Sequence, residues 1–329
     1  MQRILDPAQI EAFAQRSIPR VRLPDPANLF LRRAARLGAL SENHAVGDYL
    51  RLMAIVSEAQ QAALGSLTAE LPRAGEAAAS IDPQITLARR HRMPLLQAAG
   101  WPRDSRWRAV VAELCGAVLA RRDIPDAVRS VCTRLRDGPA AHLEEQADLL
   151  LAARTGGVHA EAAPFIMAAL QVYWVFMVTS LPMDLVGDLV GDLAADRDQA
   201  ADANVSGVCP ACGTLPVASV VRADKQYQGY RFLHCALCAT EWHLVRIKCS
   251  HCLTTEGIRY HFVEGGSEAI RAESCARCRT YRKIFYQEKD TAVEPVADDL
   301  GSLALDLLMT EDGYRRACGN PLLWQPSGA

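Results

Sequence analysis

A helical domain followed by two small metal-stabilised β units and a closing helix is the fold class the sequence predicts: multidomain, α plus small β. Three observations predict it. Apolar residues recur at three- and four-residue spacing through most of the first 195 residues. Four Cys-X-X-Cys pairs then fall between positions 209 and 278, in two copies of one pattern. A last apolar helical stripe follows Glu294-Pro295. At 329 residues the chain is long enough for more than one domain and a sizeable core. The boundaries read as a helical domain over 1–200, a first four-cysteine unit over 205–246, a second over 247–290, and a helix and tail over 291–329.

From the start, Met1–Arg20 holds no apolar core of a secretory signal, so the chain is expected in the cytoplasm. Helical periodicity then covers Pro26–Leu37, His44–Leu64, Ser105–Ala120, Pro125–Leu135 and Ala140–Ala153. Gly38, Gly65 and Gly138 read as stops, and Ser41 with His44 nearby as a start. Proline-containing connectors at Leu71–Arg73 and Met93–Trp101 separate the helices. Ala162–Leu181 carries no charge and reaches the length of a membrane span. Gln171 in its middle, Pro164 near its start, and the acidic flanks Glu161, Asp184, Asp188 and Asp192 favour a buried central helix instead. The chain is therefore not expected to be an integral membrane protein. Asp184–Asp198 reads as one more helix leading into a linker at Ala200–Ser206.

The cysteines carry the chemistry. Cys209, Cys212, Cys235 and Cys238 read C-x2-C-x22-C-x2-C, and Cys249, Cys252, Cys275 and Cys278 repeat that pattern 40 positions later. Two residues between cysteines allow a tight turn that aims both thiolates at one ion, and a second such turn closes a tetrahedron. Tandem duplication favours sequential pairing; joining the inner pairs, or interleaving them, are the alternatives. Small units of this kind bury little core, so metal supplies much of their folding free energy. Thr240 and Thr280 each follow a knuckle by two, and the segments after them, Glu241–Val245 and Tyr281–Phe285, read as short strands. Of the other cysteines, Cys115 and Cys132 lie in helical apolar runs as small core residues, and Cys318 lies in a loop with no assigned role.

A net charge of −2 gives no general attraction to nucleic acid or membrane. Within 205–290, twelve Lys/Arg face eight Asp/Glu, and Arg271, Arg277, Arg279, Arg282 and Lys283 with Tyr281 and Phe285 are the residues a zinc-ribbon nucleic-acid-binding surface would use. A thiol–disulfide redox protein using Cys209-Pro210-Ala211-Cys212 is the other alternative, though it lacks a βαβ context. No phosphate loop, G-x-S-x-G elbow or H-E-x-x-H helix marks an enzyme. His234 and His251 flank or enter the knuckles and read as hydrogen-bond partners of sulfur or solvent-facing groups, not ligands. Glu241, Trp242 and His243 form either an exposed partner contact or a strand edge with Trp242 packed on the next unit.

The segments Cys209–Pro216, Gly229–Arg246 and Lys248–Cys252, with the closing stretch Asp298–Leu308, resemble the formate dehydrogenase accessory (maturation) family, FdhE. The match is dense over about 205–325 and looser in the helical half. The resemblance implies a non-catalytic cytoplasmic assembly factor. It would bind the catalytic subunit of respiratory formate dehydrogenase before export and membrane assembly; a homodimer is left open. It also implies rubredoxin-like units and hence iron at the eight cysteines. The residues alone lean to zinc or are neutral, because only Gly213 supplies the glycine that rubredoxin-type knuckles place after the second cysteine; Ala239, Leu253 and Arg279 occupy the other positions.

Overall fold

The computed structural model describes residues 21–70, 86–88, 90–91, 93–154, 156–181, 207–224 and 228–324. The expected acidic helix at 184–198, its linker and the connector at 71–73 lie outside them.

Among the described residues, six longer helices build the first half: α1 (Leu29–Leu40), α2 (Gly47–Glu70), α3 (Arg106–Leu119), α4 (Asp126–Asp137), α5 (Ala140–Leu151) and α6 (Ala163–Ser180). α1 begins three residues later than its periodicity suggests. The Asp25 carboxylate accepts from Ala27 N, and the Asp25 carbonyl accepts from Asn28 N and Leu29 N, so the prolines belong to a turn. Gly65 does not stop α2. Leu64 and Leu67 on either side are buried, and their burial outweighs the roughly 1 kcal/mol a mid-helix glycine costs. Gly138 does end α4.

α6 is the centre of the domain. Fifteen of its eighteen residues are buried, on every face, against α2, α3 and α5. Its length and apolarity therefore serve a protein core. Gln171, the one strongly polar side chain there, is fully engaged: its amide oxygen accepts from Arg33 Nη1 and Gln60 Nε2, and its amide nitrogen donates to Ala236 O at 2.8 Å.

The second half is one sheet. Its strands are β1 (Val21–Arg22), β2 (Pro216–Val221), β3 (Arg231–Cys235), β4 (Glu241–His243), β5 (Ile258–His261), β6 (Ile270–Cys275) and β7 (Thr280–Tyr286), in the order β1-β4-β3-β2-β7-β6-β5, with the short β8 (Arg315–Arg316) paired to β7 off this path. The 40-residue repeat is visible in it: β2, β3 and β4 correspond to β5, β6 and β7. Each triplet is antiparallel. The triplets join through β2 and β7, which run parallel with Ser219 beside Ile284. Tandem units thus share a continuous sheet. Val21–Arg22 from the helical half closes the outer edge of β4.

The closing helix is two helices, α7 (Pro295–Leu300) and α8 (Leu303–Glu311), broken at Gly301-Ser302. Helical spacing over an unbroken helix would put Leu300, Leu303, Leu307 and Leu308 on one apolar face, and the break changes that face. Leu300, Leu305 and Met309 are buried, whereas Leu307 and Leu308 are exposed. An added Cβ at Gly301 would lie 3.0 Å from Leu40 Cδ1 of α1, closer than ordinary van der Waals contact, so a larger residue there would push on that leucine. Asp298 and Asp299 are buried ion-pair partners: Arg36 bonds Asp298, and Lys283 and Arg316 of β8 (Arg315–Arg316) bond Asp299. The tail folds back onto this region, with Asn320 and Leu322 buried.

Candidate metal centres

The eight cysteines converge as two separate clusters, Cys209/Cys212/Cys235/Cys238 and Cys249/Cys252/Cys275/Cys278, with all four sulfurs of each within 4.8 Å of one another. Sequential pairing is therefore the arrangement the fold adopts. In the first cluster Cys209 and Cys238 sulfurs are 3.6 Å apart and Cys212 and Cys235 sulfurs 3.4 Å. In the second the corresponding separations are 3.8 and 3.7 Å. A tetrahedron of sulfurs about 2.3 Å from a central ion has edges of roughly 3.8 Å. The separations in both clusters lie close to that value, so each is of ion-binding size.

Local backbone explains the aim of the thiolates. In each knuckle the residue after the second cysteine is left-handed: Gly213 at φ 78°, Ala239 at 55°, Leu253 at 61° and Arg279 at 56°. Three non-glycine residues thus accept a conformation that costs roughly 1–2 kcal/mol apiece. The turn brings Gly213 N to Cys209 O at 2.8 Å and Leu253 N to Cys249 O at 3.1 Å. It also points amides at sulfur, with Leu237 N 3.3 Å and Cys238 N 3.4 Å from Cys235 Sγ, and His251 N 3.4 Å from Cys249 Sγ. The glycine rule applied to the sequence was too strict: the left-handed turn forms without glycine.

A threonine follows every knuckle by two. Besides Thr240 and Thr280, Thr214 and Thr254 complete a fourfold C-x2-C-x-T pattern that was legible and overlooked. The hydroxyls of Thr214, Thr240 and Thr280 lie 3.0–3.1 Å from cysteine sulfurs. Hydroxyl and amide donors of this kind stabilise thiolate charge. Burial, the largest influence, pushes the Cys209, Cys238 and Cys249 thiols up. A cation must displace those protons to bind, so loading weakens in acid.

Three models tile the chain: FdhE, N-terminal over residues 18–188, FdhE, central domain over 208–246, and FdhE, C-terminal domain over 247–323. The chain belongs to the FdhE family. It is 38% identical to the Protein FdhE homolog of Cronobacter sakazakii over 99% of both chains, and 37% identical to Protein FdhE of Salmonella paratyphi A over 94% of this chain and 93% of that one. The crystal structure of the FdhE protein from Pseudomonas aeruginosa matches with a TM-score of 0.73 and 35% identity, covering 94% of this chain and all of that one. FdhE membership is consistent with a formate dehydrogenase maturation factor and indicates an accessory protein rather than a catalyst.

The rest of this FdhE-family site sorts the readings that the residues left open. Glu241 and Trp242 are not an exposed contact: both are buried, at 4% and 3% exposure, and His243 is half-buried. Glu241 instead gathers Arg222, Arg22 and the Nδ1 of His234 on β3. His234 thus pairs with a carboxylate rather than a sulfur, and the side chain of His251 faces solvent. The basic stacking surface of the nucleic-acid alternative does not form, because Arg282, Lys283, Tyr281 and Phe285 are all buried. Cys209 and Cys212, the pair of the thiol–disulfide alternative, are buried within the first cluster. Cys115 and Cys132 are buried neighbours on α3 and α4.

Sequence reasoning considered Arg282 for an exposed basic surface and missed its buried role. It is 3% exposed, its Nε donates to Ser250 Oγ inside the Cys249 knuckle at 2.8 Å, and neither Nη has a hydrogen-bond partner among the described residues. Burial pushes its guanidinium down to about 10. Only its alternation on β7, opposite Tyr281 and Lys283, could have flagged it.

Proposed function

We propose that this protein is a non-catalytic maturation factor for respiratory formate dehydrogenase. In this reading it acts in the cytoplasm, binds the catalytic subunit before export and membrane assembly, and carries one metal ion on each four-cysteine cluster. The observation that carries the proposal is the tiling of the chain by three FdhE models, joined to two sulfur tetrahedra of ion-binding size. Iron is the first choice of metal and zinc the alternative. Support for iron comes from the left-handed turn present at all four knuckles and from the amides aimed at sulfur in the Cys235 and Cys249 knuckles, rubredoxin-like features formed without four glycines. Bound iron would supply a one-electron couple, and bound zinc would make both clusters structural.

Two measurements test this. The tagged protein, expressed beside a formate dehydrogenase catalytic subunit, should co-purify with it in the cytoplasmic fraction; absence of the complex in metal-replete cells would reject the client. Metal content by mass spectrometry and a visible spectrum, on protein purified without oxygen, should give two ions per chain with thiolate-to-iron charge-transfer bands. Two zinc ions and no colour would replace iron by zinc.

A further inference from the structure

We propose that the two centres divide their roles: the Cys209 centre is a permanent joint between helices and sheet, and the Cys249 centre is the labile site where metal enters and leaves. The inference rests on the reading of both clusters as metal sites and goes beyond it, since the repeat alone would make them equivalent.

Solvent access separates them first. All four cysteines of the first centre are at most 1% exposed, and they belong to the main hydrophobic core with the helices. In the second centre Cys252 and Cys278 are half-buried. An incoming ligand must reach a sulfur, or the ion beside it, to displace a thiolate, so exchange begins where sulfur is accessible.

Anchoring separates them again. Both knuckles of the first centre are clamped by the helical half. Leu96 N donates to Ala211 O at 2.8 Å and Ala98 N to Cys212 O at 2.9 Å, while Gln171 of α6 donates to Ala236 O at 2.8 Å. A thiolate there cannot swing away without breaking buried hydrogen bonds. The knuckles of the second centre bond instead to their own sheet and to the α8–β8 turn, through Arg282 to Ser250 Oγ, Ala276 N to Gly257 O, and Arg315 N to Arg279 O. They can open without disturbing the helices.

Charge explains why the accessible centre still holds its ion. Arg231 and Arg282 are buried beside a single carboxylate, Glu273, which Arg231 already binds at 2.9 Å. One buried positive charge is left over, next to Cys249. Four thiolates around a divalent ion carry a charge of −2, and around a trivalent ion −1, so the loaded centre supplies the missing partner. Arg282 thus governs affinity at this centre, and the exposure of Cys252 and Cys278 governs exchange rate.

The test uses the full chain loaded with two equivalents of zinc and challenged with excess 4-(2-pyridylazo)resorcinol. Two phases are expected, each releasing one equivalent. The far-UV dichroism of the helices should be unchanged after the first phase and lost with the second. Iodoacetamide added between the phases, followed by peptide mapping, should label Cys249, Cys252, Cys275 and Cys278 and spare the other four ligands. Simultaneous release of both ions, or labelling of Cys209, Cys212, Cys235 and Cys238 first, would overturn the division of roles. Uptake of fewer than two equivalents would overturn the metal reading beneath it.

Discussion

Single residues set the geometry of the knuckles, and the consequences are local and measurable. Gly213 combines a φ of 78° with a backbone so close to the helical half that an added Cβ would lie 3.2 Å from Pro94 Cγ. Gly213→Ala should therefore destabilise the protein by about 1–3 kcal/mol, read from the thermal midpoint. A thermal midpoint equal to wild type would show that the turn relaxes freely. Gln171→Leu should cost about 2–4 kcal/mol, because Ala236 O, Gln60 and Arg33 all lose a buried partner. Urea unfolding measures this, and a loss under 1 kcal/mol would mean that water replaces the amide. The sequence announces the cysteines and threonines, whose spacing is local. It announces neither Gln171 nor Arg282, because each acquires its role from a residue distant in the chain.

At the level of elements, the repeat fixes what each unit is but not what each unit touches. The 40-residue offset pairs the strands after the second knuckles, β4 and β7, before any coordinates, and the fold extends the correspondence to β2 and β3 with β5 and β6. The parallel junction of β2 and β7 leaves no mark, since both strands are continuously buried and neither periodicity nor turn chemistry names a partner. The two-residue strand Val21–Arg22 is too short for any pattern to reveal. The broken closing helix was legible in part: Gly301-Ser302 is a weak helix signal, overridden in the reading by the leucine stripe. Because each unit holds its own sulfurs, replacing Cys249 by Ser should remove one metal ion per chain and leave the other, by mass spectrometry. Loss of both ions, or of neither, would refute independent centres.

For the whole molecule, ion pairs bind the helical half to the sheet and its closing helices. Arg33 meets Glu294, Arg36 meets Asp290 and Asp298, and Arg22 meets Glu241. Burial would push the Glu241 carboxyl up, but Arg222, His234 and Arg22 outweigh it and hold it well below its ordinary value of 4.5. Folding thus lowers the affinity of Glu241 for a proton. Its contribution is complete above the unfolded value and is lost as pH falls through the lower folded value. Glu241→Gln should cost about 3–5 kcal/mol at pH 7 and progressively less below about pH 4.5, in paired urea melts. A difference independent of pH would place the effect in packing rather than charge.

The same contacts have a consequence in time. Arg33 and Arg36 are separated from Glu294 and Asp298 by 261 and 262 positions. A ribosome adding about 5–20 residues per second delivers those carboxylates roughly 13–50 seconds after the arginines. Until those carboxylates emerge, the nascent helices hold two guanidiniums over an apolar core without the counter-charges they meet in the fold, so the helical half of a newly made copy cannot settle before the closing helices are made.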